Sequence, residues 1–407
     1  MLEALPLVFV LTGLALYVVL GGADFGTGFW QLFAGSGAHA ERVREHAHES
    51  MAPVWEANHV WLIFVLTVFW TAYPEAFGSI ASTLAVPLFI AAIGIIFRGA
   101  AYAFRAGARS PRESSVIYTV FSLSSFIAPF ALGAAIGGIA TNRVPVGNAA
   151  GSLWSSWLNP TSVFIGILAV ATSAYLAAVY LAADAAHGGN EELTRDFRLR
   201  ALGAGVVGGA IAIAGILVVN ADRHDLFDSL LTGQALPAVI ASALAGVTTL
   251  ALVYTGRFEP ARYSGALAVA AIIAGWALSR WPTILPGLTV DQAAASHDTL
   301  VSVIVAVLAG GVILVPALVY LFRLAISGRF RTAEAAPAAK AAAAQVLETR
   351  PGFLERAAIA CFIAGFGLLN VAEAGWAHAA GLVFYFGFIL IAFRAIISVA
   401  LANEATR

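Results

Sequence analysis

Charge is scarce in this chain. Of its 407 residues only 11% are charged and 60% are hydrophobic, where soluble domains carry about 25% and about 45–50%. That much apolar surface exceeds what one water-soluble core can bury, so a soluble fold is excluded. Cysteine is almost missing. The single Cys361 rules out an intrachain disulfide framework, a cysteine-ligated zinc site and a cysteine-built iron–sulfur cluster. A net charge of −1 with no basic stripe leaves no electrostatic footprint for nucleic acid. The apolar segment from Leu5 to Leu20 lacks a basic leader and an A-x-A exit, so it reads as a first membrane span rather than a cleavable signal.

What is present is a succession of apolar runs. A helix needs about 20 residues to cross about 30 Å of hydrocarbon. Runs of that kind fall near 5–30, 54–73, 78–98, 115–140, 161–183, 200–220, 235–255, 263–281, 299–322, 355–374 and 379–402. The short alternating segments of a membrane barrel are missing. The fold class expected is therefore an all-α polytopic membrane protein of about eleven transmembrane helices. Loops after odd-numbered runs hold seventeen Lys and Arg residues, whereas Arg143, Arg223 and Arg280 alone follow even-numbered ones. By the positive-inside rule the odd loops are cytoplasmic, the amino terminus is outside and the carboxyl terminus inside.

An alanine-rich stretch, Thr332–Ala344 with Pro337, marks a tether. Three parts follow: a nine-helix body at 1–330, a cytoplasmic linker at 331–350 and an appended helical hairpin at 351–407. A short internal likeness links Leu20-Gly21-Gly22-Ala23-Asp24 to Tyr180-Leu181-Ala182-Ala183-Asp184.

Ionisable groups inside spans cost roughly 2.5–3.5 kcal/mol on insertion scales and face protein or water. Asp24 is read as closing the first helix, Glu56 as opening the second and Arg98 as closing the third, all at the cytoplasmic level. Glu56 and His59, three apart, share a helix face, with Trp55, Asn58 and Trp61 on neighbouring positions. Two readings stay open for this cluster: a proton path through carboxylate, imidazole, amide and indole, or an ion-pair network that fixes packing. Asp184, Glu75 and Arg394 read as solvated. Haem ligation is limited by the inventory. Both methionines, Met1 and Met51, lie off the spans. Among the histidines only His59 falls within one, with His378 in the last turn and His39, His46, His48, His187, His224 and His297 in connecting segments. No haem or metal is expected on this chain. The glycines Gly21, Gly22, Gly26 and Gly28 read as close helix packing.

Gly22-Ala23-Asp24-Phe25-Gly26-Thr27-Gly28 resembles the G-F-D-x-G-x-G signature of subunit II of cytochrome bd-type quinol oxidases. Pro53-Val54-Trp55-Glu56-Ala57-Asn58-His59-Val60-Trp61-Leu62 is similar to that family's P-x-W-D-G-N-x-V-W-L. Phe97-Arg98, Asn159-Pro160, Trp281-Pro282 and Leu285-Pro286 fit later positions. The resemblance covers about the first 330 residues. It implies two four-helix bundles plus a ninth helix, paired with a subunit I that carries b- and d-type haems (or b-type only), oxidises quinol and reduces oxygen to water. It further implies that this chain ligates no haem, holds structural quinone or lipid, sits in a prokaryotic cell membrane, and supplies scaffold and part of the cytoplasmic proton path. Asp24, Trp55 and Glu56 match the groups assigned to that path; Arg98 matches a recurrent arginine, and Asn58, His59 and Trp61 support it. Departures are Glu56-Ala57 for the usual Asp-Gly, His59 where Glu or Gln is common, Ala103 where many members carry an aspartate, and the two-helix extension. The rival expectations are a stand-alone proton-coupled transporter and a purely structural partner subunit.

Overall fold

A computed structural model describes residues 2–51, 55–105, 110–326, 352–370 and 375–405; the side chains of Trp55, Glu56 and Ala57 fall outside the described set. The chain divides into two compact units, Met1–Ser327 and Gly328–Arg407.

The first unit is built of helices. A long first span combines α1 (Leu5–Leu16), a π-helical turn at Tyr17–Gly21 and α2 (Gly22–Leu32). After it come α3 (Ala38–Met51), α4 (Trp55–Ala72), α5 (Pro74–Thr83), α6 (Ala85–Arg105) and α7 (Pro111–Ala140). Then follow α8 (Pro160–His187), α9 (Glu191–Asp222), α10 (His224–Leu231), α11 (Leu236–Tyr254) and α12 (Phe258–Arg280). A hairpin of β1 (Thr283–Leu285) and β2 (Leu288–Thr289), a turn of helix α13 (Val290–Ala293) and α14 (His297–Ile326) complete it. Local chemistry sets the longest starts. Ser110, Asn159 and Asn190 each accept a hydrogen bond from a backbone N–H three residues on, and Pro111 and Pro160 take the first helical position, where a missing N–H is harmless.

Among the described residues, nine helices are long and apolar enough to cross a membrane, and Asn58–Ala72 and Arg356–Leu368 are shorter apolar helices. Each apolar run thus overlaps a described helix, and the described residues give nine helices of span length. The run at 78–98 is displaced. Leu84 leaves helical geometry and ends α5, so the membrane-length helix is Ala85–Arg105. That shift carries a consequence: Arg98 does not close its helix but lies seven residues, about 10 Å, inside its end. Asp24 likewise lies eight residues before Leu32, about 12 Å inside. Both expected terminal positions are therefore corrected to interior ones.

Two apolar clusters mark the two ends of the bundle. One gathers Val43 and Ala47 of α3 with Leu181, Phe197, Val253 and Phe258. The other gathers Tyr73, Val144, Trp157, Leu285 and Leu300. Arg42, Arg44, Arg105, Arg200 and Arg262 belong to elements at the first end; Arg143, Arg223 and Arg280 belong to the second. The β-hairpin, unforeseen in an all-helical reading, packs Leu285 and Leu288 into that second cluster, with Gly287 supplying the left-handed turn at φ 78°. Segment α3, read from sequence as a solvated helical connection, is a helix whose apolar face is buried.

The second unit pairs α15 (Phe353–Asn370) with α16 (Gly375–Ala405). They run antiparallel: Gly365 meets Gly381 and Tyr385, while Cys361 faces Gly387. Phe362 packs on Tyr385 and Phe388. The whole of the predicted linker 331–350 lies outside the described residues.

Candidate functional site

The centre of the site is an ion pair sealed between α2, α6 and α7. Asp24 is 1% exposed and Arg98 2%. The Arg98 guanidinium donates through Nη2 to Asp24 Oδ1 at 2.7 Å and through Nε to Oδ2 at 3.2 Å, the two-pronged geometry that makes arginine–carboxylate pairs specific. Nη2 also donates to the Asp24 carbonyl at 2.8 Å, and Nη1 donates to Ser125 Oγ. Phe121 lies 4.1 Å from the guanidinium carbon and Phe25 5.3 Å, so two aromatic rings provide the cation–π contacts expected where a charge is desolvated.

Glycine makes this closeness possible. A Cβ on Gly26 would stand 1.9 Å from the Ser173 carbonyl oxygen of α8, and one on Gly28 would stand 2.1 Å from Ser125 Oγ and 3.2 Å from Arg98 Nη1. The glycine-rich motif therefore lets α2 lie directly on its neighbours. Thr27, between them, donates to the Asp24 carbonyl at 2.7 Å.

The second motif reaches the same place from α4. Asn58, 2% exposed, donates from Nδ2 to the Leu20 carbonyl at 3.3 Å. Leu20 belongs to the π-helical turn, where widened geometry redirects backbone carbonyls; such turns recur at functional sites. The His59 ring is stacked on Phe25 at 5.9 Å and tilted against Tyr17 at 6.0 Å. Trp61 packs on the same aromatic group and edges Phe64 at 6.1 Å. Two buried polar atoms here, the Tyr17 hydroxyl and Asn58 Oδ1, have no hydrogen-bond partner among the described residues, a condition that points to solvent or a ligand rather than to finished packing. Of the sequence-derived residues, Asp24, Arg98, Asn58, His59 and Trp61 converge. Trp55 and Glu56 share the first turn of α4 in backbone only, their side chains being outside the described residues.

Sequence reasoning missed Ser125, Phe121 and Tyr17. None sits in a motif; only the packing of α7 and the first span brings them to the pair. Gly28 gave a signal, lying four residues beyond Asp24 on the same helix face. Asp184, expected to be solvated, instead is half-buried and paired: Arg262 donates to its carboxylate and, at 3.0 Å, to the Tyr180 carbonyl. Each arginine thus grips a carboxylate plus a main-chain oxygen, at the two places where the sequence shows its internal likeness. Glu75 and Arg394 are exposed.

The histidines on α3 have separate partners. His39 meets Glu192 at 3.0 Å and Asp196 at 3.3 Å, and buried His46 meets the Leu181 carbonyl at 3.0 Å. His48 stacks on Tyr102 at 5.0 Å. Burial, then the positive charge of Arg105, pushes its pKa down to about 4. Among the described residues no three His, Cys, Asp or Glu side chains form a metal-sized group.

Comparison with known proteins places this architecture. A structure of bd oxidase from Geobacillus thermodenitrificans superposes with a TM-score of 0.66, covering 79% of this chain and 98% of that one at 24% identity; that likeness concerns the fold. The cytochrome bd ubiquinol oxidase subunit 2 of Bacillus subtilis (strain 168) is 31% identical over 117 residues, 29% of this chain and 34% of that protein. The cytochrome bd-I ubiquinol oxidase subunit 2 of Escherichia coli (strain K12) is 25% identical over 123 residues, 30% and 32% respectively. The chain thus spans about a third of the length of the curated relatives it matches. The family model described as cytochrome bd terminal oxidase subunit II matches residues 2–325. With the glycine–aspartate and tryptophan motifs meeting around one buried ion pair, and the family model running through the whole helical body, the chain belongs to the cytochrome bd terminal oxidase subunit II family.

Proposed function

We propose that this chain is the non-haem subunit II of a bd-type terminal oxidase in a prokaryotic cell membrane, paired with a haem-bearing subunit I that oxidises quinol and reduces oxygen to water. Its part is to brace the partner and to carry protons from the cytoplasmic side. The observation that carries this reading is the buried Asp24–Arg98 pair with the Tyr17 hydroxyl and Asn58 Oδ1 left open beside it. Orientation follows from the arginine-rich end being cytoplasmic, with the amino terminus outside and the carboxyl terminus inside.

Within the path, Asp24 and Glu56 divide the labour. Both oxygens of Asp24 already accept from Arg98, so moving a proton through Asp24 means breaking that fork. Asp24 and Arg98 accordingly serve as a fixed electrostatic anchor, and the first-turn Glu56 of α4, flanked by Trp55, is the carboxylate that exchanges protons with water. Asn58 and Tyr17 hold the hydrogen-bond chain, while His59 and Trp61 wall it off from lipid. Haem belongs to the partner. The ring of His59 is packed within aromatic side chains, a poor fit to an axial ligand, whose nitrogen must project into a flat porphyrin-sized cavity. Any quinone or lipid held by this chain is structural. Drawing protons from inside while quinol releases them outside stores about 2.3 kcal/mol per charge and 100 mV.

The test uses the purified complex in liposomes. Glu56→Gln is expected to slow oxygen reduction and proton uptake from the arginine-rich side by at least tenfold, with the optical haem spectrum unchanged. Wild-type turnover and proton uptake in Glu56→Gln would exclude the inlet role. Recovery of the chain without a haem-bearing companion would exclude the pairing.

A further inference from the structure

The end of the bundle remote from the Asp24–Arg98 pair holds a polar pocket of about 180 Å³, half open. A water molecule occupies about 30 Å³ of liquid, so the space takes a small polar group together with solvent. Its polar lining is Asn142, Asp225, Ser229, Ser279, Arg280 and Thr283, drawn from the loop after α7, from α10, from the end of α12 and from β1.

The arginines around this pocket are not all paired with carboxylates. Three arginines meet at this end. Arg143 pairs with Asp222 at 2.8 Å. Arg223 clamps Asp225 with Nε at 2.9 Å from Oδ1 and Nη2 at 2.5 Å from Oδ2, so that the carboxylate in the pocket lining is already neutralised. Arg280 is different. Its Nη1 donates to the Ala140 carbonyl at 3.2 Å and to Asn142 Oδ1 at 2.8 Å, and its Nη2 donates to the Ile284 carbonyl at 3.0 Å. Those acceptors are all neutral, and no carboxylate among the described residues lies within ion-pair distance. Asp225 lines the same pocket but is forked by Arg223, so the half-buried Arg280 guanidinium has only neutral hydrogen-bond partners, which is costly beside hydrocarbon. Its Nε–H and one further N–H remain for a ligand.

The pocket is built to hold Arg280 in place. Asn142 adopts a left-handed φ of 58°, a conformation that asparagine tolerates better than most residues, and its side chain fixes Nη1. Trp281, next in the chain, is half exposed, as expected of an aromatic at the lipid–water boundary. Ser229 and Ser279 donate to the Asp225 and Trp276 carbonyls at 2.9 Å and 2.7 Å, which leaves the Thr283 hydroxyl; a fixed guanidinium with a hydroxyl donor beside it is the chemistry that recognises a phosphate oxyanion.

We propose that this pocket binds a phosphate group, with Arg280 as its anchor and the hydroxyl of Thr283 as a second donor. The phosphate can arrive on a lipid headgroup or free in solution. The experiment uses the purified complex after delipidation, with three probes: phosphatidylglycerol, phosphatidylcholine and inorganic phosphate. Lipid retention is read by native mass spectrometry and phosphate by thermal shift.

Wild-type protein is expected to retain one phosphatidylglycerol at least tenfold more tightly than Arg280→Gln does, while Arg257→Gln at the other end retains it like wild type. Retention of phosphatidylglycerol without a response to inorganic phosphate assigns the site to a headgroup. An Arg280-dependent response to inorganic phosphate of equal strength assigns it to the free ion. If Arg280→Gln fails to fold, Thr283→Val, which leaves the Arg280 contacts intact, is expected to weaken binding about threefold. Equal binding of every probe to wild type and to whichever of these two variants folds would overturn the proposal.

Discussion

Removing the Asp24 carboxylate gives the sharpest test of how the body of this protein is held together. Asp24→Leu deletes two acceptors of Arg98 and leaves a guanidinium that is 2% exposed with the Asp24 main-chain carbonyl, Ser125 and two aromatic rings as company. Breaking a buried pair from one side costs about 3–5 kcal/mol, or roughly two to three and a half orders of magnitude in the folding equilibrium. An exposed pair would lose no more than about 1 kcal/mol, so depth decides the expected size. Arg98→Met leaves the carboxylate stranded and is expected to lose a similar amount. The double variant Asp24→Leu/Arg98→Met removes both charges together and is expected to recover most of the loss, since well-packed apolar replacements of buried pairs are often neutral or better. Unfolding by SDS in mixed micelles, followed by tryptophan fluorescence of the complex, supplies the three free energies. Simple addition of the two single losses in the double variant, or single losses under about 1 kcal/mol, would refute the picture of a sealed, mutually dependent pair.

Gly26→Ala is expected to lower the thermal midpoint clearly, because its Cβ would meet a backbone oxygen of α8 at 1.9 Å and overpacking costs about 1–3 kcal/mol. Gly203→Ala, with nothing within 4 Å, is expected to be neutral or mildly stabilising; equal midpoints for the two variants would contradict close packing as the motif's purpose. His48 gives a pH prediction. Its folded pKa of about 4 lies below the 6.5 of an unfolded histidine, so between those values the unfolded chain binds a proton that the folded chain does not. His48 therefore favours the fold least at acid pH: stability is whole above about 6.5 and falls as pH drops toward about 4. Melting scans at pH 7 and pH 5 should show a smaller acid loss in His48→Gln than in wild type, and an identical loss would remove His48 as the cause.

How much of this was legible beforehand differs from element to element. Each apolar run overlapped a described helix, because membrane helices satisfy their own backbone and so announce themselves by composition. The break at Leu84 was missed. Hydropathy averaged over the run passes across it, although Ser82-Thr83 before it and Pro87 after it are local helix-start signals. Misplacing that one helix put Arg98 at a terminus instead of about 10 Å inside. The burial of α3 was hidden for the opposite reason: its charged residues and histidines together outnumber its apolar residues, yet Val43 and Ala47 are 0% exposed.

Sequence alone therefore settled that the chain is a multi-pass helical membrane protein, which groups carry its charge and which glycine and tryptophan motifs mark its family, since these depend on composition and short-range spacing. Tertiary structure decided that Asp24 is clamped by Arg98, that Ser125 and Phe121 complete the clamp, and that Arg280, at a pocket, has no carboxylate within ion-pair distance among the described residues. The physical reason is separation along the chain. Asp24 and Arg98 are 74 residues apart, and Arg280 and Asn142 are 138; partners that distant are chosen by helix packing, to which no local pattern in the chain refers.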